Sequence, residues 1–241
     1  MNRNHFIVAT VILTAIVTAC KKNSPEDAST SVTTQSPAAP TENLDATKAK
    51  AEAGDLTAQT RLGFAYEKGI DIKADMKAAA SWFQRAADQG YPDALAALGE
   101  LTQAGQGVPR DAAKAAELFR QAAEKGSVAG QYNLGYLYEQ GLGVARDDAE
   151  AAKWYKLAAE GGDALAQFDL GQRYHLGIGV RADDCEACKW LSLAVQNGQA
   201  DAGVLLDKVK QNLTRIQLVQ IEDSVRDFKL RQLPGTNYQA R

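Results

Sequence analysis

The stretch Leu134-Gly135-Tyr136-Leu137-Tyr138-Glu139-Gln140-Gly141-Leu142-Gly143-Val144 decides the fold. It begins as an amphipathic helix and ends in a glycine-rich turn, because glycine supplies the positive φ that follows a helix end. The Leu-Gly pair recurs as Leu62-Gly63, Leu98-Gly99 and Leu170-Gly171, a step of 36 residues. The same step carries Gly69, Gly105, Gly141 and Gly177, then Asp75, Asp111, Asp147 and Asp183, then Gly90, Gly126, Gly162 and Gly198. Trp82, Trp154 and Trp190 share a column in which Leu118 takes the second place. A fixed period of this length marks a solenoid, whose units bury their apolar faces only against one another.

Each unit reads as two helices. The first runs from about Thr57 to Lys68 in repeat one, with Ala58, Leu62, Ala65 and Tyr66 on one apolar face. Gly63 lies inside it, where glycine costs about 1 kcal/mol relative to alanine; close approach of a neighbouring helix is the expected return. The aspartate column caps the second helix by accepting its free amide hydrogens. That helix runs from Asp147 to Glu160 in repeat three, and Asp163 caps the next one. Leu44 to Ala53 aligns with the second helix of a preceding unit and reads as a shortened cap. At the other end, Ala200 to Asn212 continues the first-helix pattern with Asp207 in the glycine column, and Thr214 with Gln217 forms a capping box for a helix ending before Pro234-Gly235.

These residues resemble the Sel-one-like repeat family, relatives of the tetratricopeptide repeats. The family pattern Leu-Gly-x-x-Tyr-x-x-Gly-x-Gly-Val stands intact in residues 134–144 and recurs from Leu170 to Val180. The resemblance covers four repeats, about Asp55 to Gly198. Repeat one departs by placing Asp71 at the second turn glycine, a residue that tolerates the left-handed conformation. Repeat two has Thr102 for the tyrosine and Leu118 for the tryptophan, so it is expected to pack less fully. The fold class is therefore all-α, an α/α solenoid of four 36-residue helix-turn-helix repeats with terminal capping helices. The resemblance implies a right-handed superhelical arc whose first helices line the concave side.

The amino terminus reads as an address. Phe6 to Val17 is a run of twelve mostly apolar residues after a weakly positive start, too short to span a bilayer. Val17-Thr18-Ala19-Cys20 resembles a bacterial lipobox, which implies cleavage before Cys20 and its acylation. An ordinary signal peptide with an incidental cysteine is the alternative. Lys21 rather than aspartate follows, which by the enteric rule implies the outer membrane, facing the periplasm. The expected organisation is a signal peptide over 1–19, a lipidated Cys20 and Ser/Thr/Pro-rich tether over 20–42, the solenoid over 43–213, a capping helix over 214–233 and a tail over 234–241. A tether of about twenty such residues has a reach of roughly 25 Å.

Little in the chain points to catalysis. Hydrophobic residues make up 45% and charged residues 24%, with a net charge of -3 mixed in sign, so the basic stripe of a nucleic-acid binder is missing. His175 is the single histidine after the signal region, which leaves no zinc motif of two histidines. No Gly-x-Ser-x-Gly and no Ser-x-x-Lys occurs, and the Gly-x-Gly pairs lack the strand context of a nucleotide fingerprint. The expectation is no enzyme, no cofactor and no metal. Carboxylates are abundant, and most are read as caps or solvated faces. Cys185 and Cys188 replace Ala149 and Ala152 of the preceding repeat. They read as small core residues or, in an oxidising compartment, as a disulfide across one helical turn; their Cys-x-x-Cys spacing has no thioredoxin-like βαβ setting.

The partner-facing columns should be those left after the packed positions are removed: Thr57, Thr60, Phe64 and Lys68 in repeat one, Tyr132 and Tyr136 in repeat three, Phe168 and Gln172 in repeat four, with His175 beside them. Tyr132, Tyr136 and Phe168 would then form one aromatic surface, as hot spots favour. The other reading packs Tyr132 and Phe168 between repeats. The first expectation of function is an envelope-tethered scaffold binding a protein or peptide on its concave face, anchored to the membrane through Cys20. The resemblance extends this to envelope signalling, surface-polymer assembly or neutralising a toxic effector. Two other readings stay open: a hydrolase acting on cell-wall peptides or β-lactams, and a structural peptidoglycan-associated lipoprotein.

Overall fold

The computed structural model describes residues 43–232. The expected signal peptide, Cys20, the whole tether and the 234–241 tail lie outside the described residues. Within them the chain is all-helical, with eleven helices. A short α1 (Leu44–Glu52) precedes four pairs: α2 (Leu56–Lys68) with α3 (Met76–Ala87), α4 (Pro92–Ala104) with α5 (Ala112–Glu124), α6 (Val128–Gln140) with α7 (Asp148–Glu160), and α8 (Ala164–Leu176) with α9 (Asp184–Gln196). Then come α10 (Ala202–Lys210) and α11 (Arg215–Gln232). Each helix from α1 to α9 packs on the next, which is the neighbour-on-neighbour order of a solenoid. None of these helices is long and apolar enough to cross a membrane.

The local signals set the helix ends. Asp75, Asp111, Asp147 and Asp183 each accept backbone amides at the start of α3, α5, α7 and α9. Gly69, Gly105, Gly141 and Gly177 close the first helices in the left-handed region, with φ between 67° and 74°. Asp71 also sits there, at φ 57°. The other three repeats hold a glycine at that point, and a Cβ on Gly143 would overlap the Ala112 carbonyl of the preceding repeat. The equivalent neighbour of Asp71 would be residue 40, before the described chain.

The Leu-Gly column is explained by the second helix. A Cβ on Gly63 would stand 2.5 Å from the Phe83 ring, one on Gly99 2.7 Å from Phe119, and one on Gly171 2.7 Å from Leu191. Phe83, Phe119, Tyr155 and Leu191 form one column and all are fully buried. Burial of such a side chain contributes about 1.5–3 kcal/mol, which outweighs the helix cost of the glycine. Around them run two columns of fully buried alanines, Ala79, Ala115, Ala151 and Ala187, then Ala86, Ala122, Ala158 and Ala194. Gln59, Gln131 and Gln167 each donate a side-chain N–H to a carbonyl eight residues back, at 3.0, 3.4 and 3.1 Å. These bonds give a second donor to Ala51, Ala123 and Ala159, whose carbonyls at the ends of α1, α5 and α7 also accept from the Gly54, Gly126 and Gly162 N–H groups.

Repeat two is not loosely packed, contrary to the sequence expectation. Leu95, Leu98 and Leu101 of α4 are buried, as are Thr102 and Leu118. Thr102 spends its hydroxyl on the Leu98 carbonyl at 2.7 Å, so the polar substitute carries no unsatisfied group into the core. The C-terminal cap departs from the repeat. Its capping box forms as expected, Thr214 N–H donating to Gln217 Oε1 at 2.9 Å. Yet α11 packs chiefly on α9, with at most slight contact to α10, where a second helix would pack on its own first helix.

Candidate functional site

The first helices present side chains that reach from one repeat to the next. Asn133 donates to Glu100 at 3.0 Å, Ser127 to Asp93 at 3.4 Å and Tyr132 to Asp169 at 3.2 Å, while the Thr57 and Tyr91 hydroxyls lie 3.4 Å apart. Each link spans close to one repeat. Polar groups on this face thus hold the stack together as well as facing outward.

The six residues expected at a partner surface divide accordingly, and all are partly buried. Phe64 packs its ring against Phe83 in a T-shaped pair, with centroids 4.9 Å apart, and the Lys68 ammonium lies over the Phe64 ring at 5.4 Å. Tyr132 packs its ring 5.5 Å from Tyr155 and ties its hydroxyl to the next repeat. Phe168 packs against the core of the last repeats, and Tyr136 touches that core and the one before it. Gln172 is half-buried one turn beyond Phe168. His175 turns to α9, its Nδ1 2.7 Å from Asp184 Oδ1, while Asn212 donates to the other oxygen of that carboxylate at 2.7 Å. Thr60, expected beside Phe64, is buried, and its hydroxyl donates to the Leu56 carbonyl at 2.8 Å. Cys185 and Cys188 stand as free thiols. Cys185 Sγ accepts from Gln217 Nε2 at 3.4 Å, and Cys188 is buried.

The structure also brings together a polar network that the sequence reading missed. Arg173, only 4% exposed, meets Glu139 at 2.9 Å, and Asp148 lies 3.8 Å away. Its guanidinium stacks over Tyr155 at 5.0 Å, and the Tyr155 hydroxyl donates to Glu139 at 2.7 Å. Among the described residues, Arg173 Nη1 has no hydrogen-bond partner. Beside this group, burial pushes the Asp169 carboxyl up to about 7, and the Glu139 charge adds to the push. The hydrogen bond from Tyr132 and the Arg173 charge act the other way. Burial and the nearby carboxylates also raise the Tyr132 and Tyr155 hydroxyls, which therefore stay protonated as donors at neutral pH. A signal was present: Arg173 stands in the column of Ala65, Leu101 and Leu137, where a charge is out of place.

Among the described residues, no three histidine, cysteine or carboxylate side chains are grouped to hold a metal. What recurs four times is the 36-residue pair of helices, and the Sel1 repeat model matches it at residues 56–91, 92–127, 128–163 and 164–199. The chain belongs to the Sel1 repeat family. Such Sel1 repeat proteins serve generally as scaffolds for protein–protein interaction.

Solved structures agree with this assignment. A protective antigen of uropathogenic Escherichia coli displaying an SLR fold is 31% identical, with a TM-score of 0.68 over 82% of this chain and 45% of its own. A Sel1 repeat protein from Oxalobacter formigenes is 35% identical, with a TM-score of 0.64 over 69% of this chain and 48% of its own. This chain thus spans less than half the length of either. An immunity protein from Pseudomonas aeruginosa, 21% identical with a TM-score of 0.50, covers 78% of this chain and 72% of its own, and shares the fold. No curated protein matches the chain.

Proposed function

We propose that this Sel1 repeat protein is an envelope-tethered, non-catalytic scaffold that binds a protein or peptide on the concave face formed by its first helices. The observation that carries the reading is the run of four Sel1 repeats, with Tyr136, Phe168 and Gln172 on the first helices of the last two and each partly open. Aromatic side chains held by a rigid helical frame lose little entropy on binding and suit a hot spot. Tyr132 acts behind them, since its ring and hydroxyl are engaged within the stack. Acylation of Cys20 anchors the chain, with the outer membrane facing the periplasm as its site.

Crosslinking in the cell envelope with the native chain and with a Tyr136→Ala, Phe168→Ala variant tests the face. A defined protein captured by the first and lost by a folded second supports it. Equal capture by both, or turnover of labelled muropeptides, overturns it. Labelled palmitate incorporated by the native chain and not by Cys20→Ser tests the anchor.

A further inference from the structure

The C-terminal cap leaves a groove. In the four full repeats, glycine lets the second helix close on the first, but α10 carries Asp207 in that column, and α11 leans on α9 instead. Between α9, α10 and α11 lies a cavity of about 650 Å³, within the roughly 300–1,000 Å³ usual for small-molecule sites. Leu206, Ile221 and Val225 form its buried apolar floor, and Leu218 and Val195 stand at its sides. The face of α11 that lines it runs from Leu218 to Leu230, roughly 18 Å at the helical rise.

The rim carries charge of one predominant sign. Lys210, Arg226 and Lys229 border the groove, against the single carboxylate Glu222. Arg226 is held by Asp223 at 2.7 Å. Lys210 and Lys229 make no ion pair among the described residues. An apolar slot with two available ammonium groups at its edge is complementary to a molecule with one apolar chain and an anionic head. A second copy of this chain fits poorly, because a two-fold contact would set the same cations against themselves.

We propose that the groove between α9, α10 and α11 binds a free single-chain anionic amphiphile of the fatty-acid type. Its chain lies along Leu206, Ile221 and Val225, and its head meets Lys210 or Lys229. The test is calorimetric titration of the full chain carrying Cys20→Ser, in detergent-free buffer, with sodium decanoate below its micelle concentration. Saturable one-to-one binding is expected, at least tenfold tighter than for 1-decanol. Val225→Trp, which fills the slot, and the pair Lys210→Glu with Lys229→Glu should each weaken it at least tenfold, with helical content unchanged. The exposed lysine pair keeps the test decisive if the tryptophan variant does not fold. Absence of saturable binding, equal binding of decanol, or affinity unmoved by the charge reversal overturns the proposal. Sedimentation showing self-association that the charge reversal abolishes would assign the groove to a second copy and overturn it too.

Discussion

The Tyr155 hydroxyl donates to Glu139 at 2.7 Å from the column that holds Phe83 and Phe119 in the two earlier repeats. Its ring fills the same space against the glycine of its own repeat, and a Cβ on Gly135 would stand 3.0 Å from it. The aromatic core is thus kept while one buried edge becomes polar. Tyr155→Phe should retain the fold and lose about 1.5–3 kcal/mol, the range for a hydrogen bond to a charged group. Urea unfolding at pH 7 measures this, and an unchanged midpoint would show that the hydroxyl contributes nothing.

Arg173 and Glu139 should be coupled. Arg173→Leu restores the residue of the Leu101 and Leu137 column but leaves Glu139 with Tyr155 alone. Glu139→Gln leaves Arg173 buried without its closest counter-charge. The double variant should cost about 1–2 kcal/mol less than the sum of the singles. Glu139 is 35% exposed, which keeps the value below that of a fully buried pair. Additive losses in a double-mutant cycle would dismiss the coupling.

Asp169 makes stability depend on pH. Its carboxyl is raised to about 7 in the folded chain, chiefly by burial, against about 3.9 unfolded. Between those values the folded state holds a proton that the unfolded state has released, so stability falls as pH rises from about 4 to about 7. Asp169→Asn should remove this component, so that the variant loses less stability than the native chain between pH 5 and pH 8. Parallel slopes in chemical denaturation at the two pH values would refute the assignment.

Two glycines predict opposite signs. Gly63→Ala drives a methyl group into the Phe83 ring and should destabilise by about 1–3 kcal/mol, despite alanine's better helix propensity. Gly203 lies in α10 with no described residue within 4 Å of an added Cβ, so Gly203→Ala should stabilise by about 1 kcal/mol. Thermal melts of the two variants against the native chain read both effects.

The cysteines should react in sequence. Cys185 is partly open, whereas Cys188 is buried and its thiol is pushed up chiefly by that burial. A maleimide should label Cys185 in the folded chain and Cys188 only on unfolding. Equal rates would mean that α9 opens readily, and no labelling before reduction would mean a disulfide.

Much of this was readable because the signals are local or periodic. The 36-residue step announces stacking, and Asp147 and Gly141 act on backbone groups within a few residues of themselves. Even the need for glycine at position 63 follows from the pattern, since an unfavourable residue recurs in every unit. The candidate face was less legible. His175 lies at helical spacing beside Gln172, yet its ring is held by Asp184 from the following helix. Thr60 belongs to the same column as Tyr132 and Phe168 but is buried and bonded to its own helix.

The sequence by itself determined the helices, their ends and their order, because caps, turn glycines and apolar spacing act over a few residues and repeat without interruption. Only the tertiary structure decided where the polar side chains go. Tyr132 and Asp169 stand 37 residues apart and meet because two first helices lie side by side. Glu139, Tyr155 and Arg173 come from three successive helices. Contacts of that kind depend on how neighbouring helices are turned and spaced, and no single segment encodes them. The splay of α11 from α10 is of the same kind: Asp207 marks the missing glycine, but the groove exists only where α9, α10 and α11 come together.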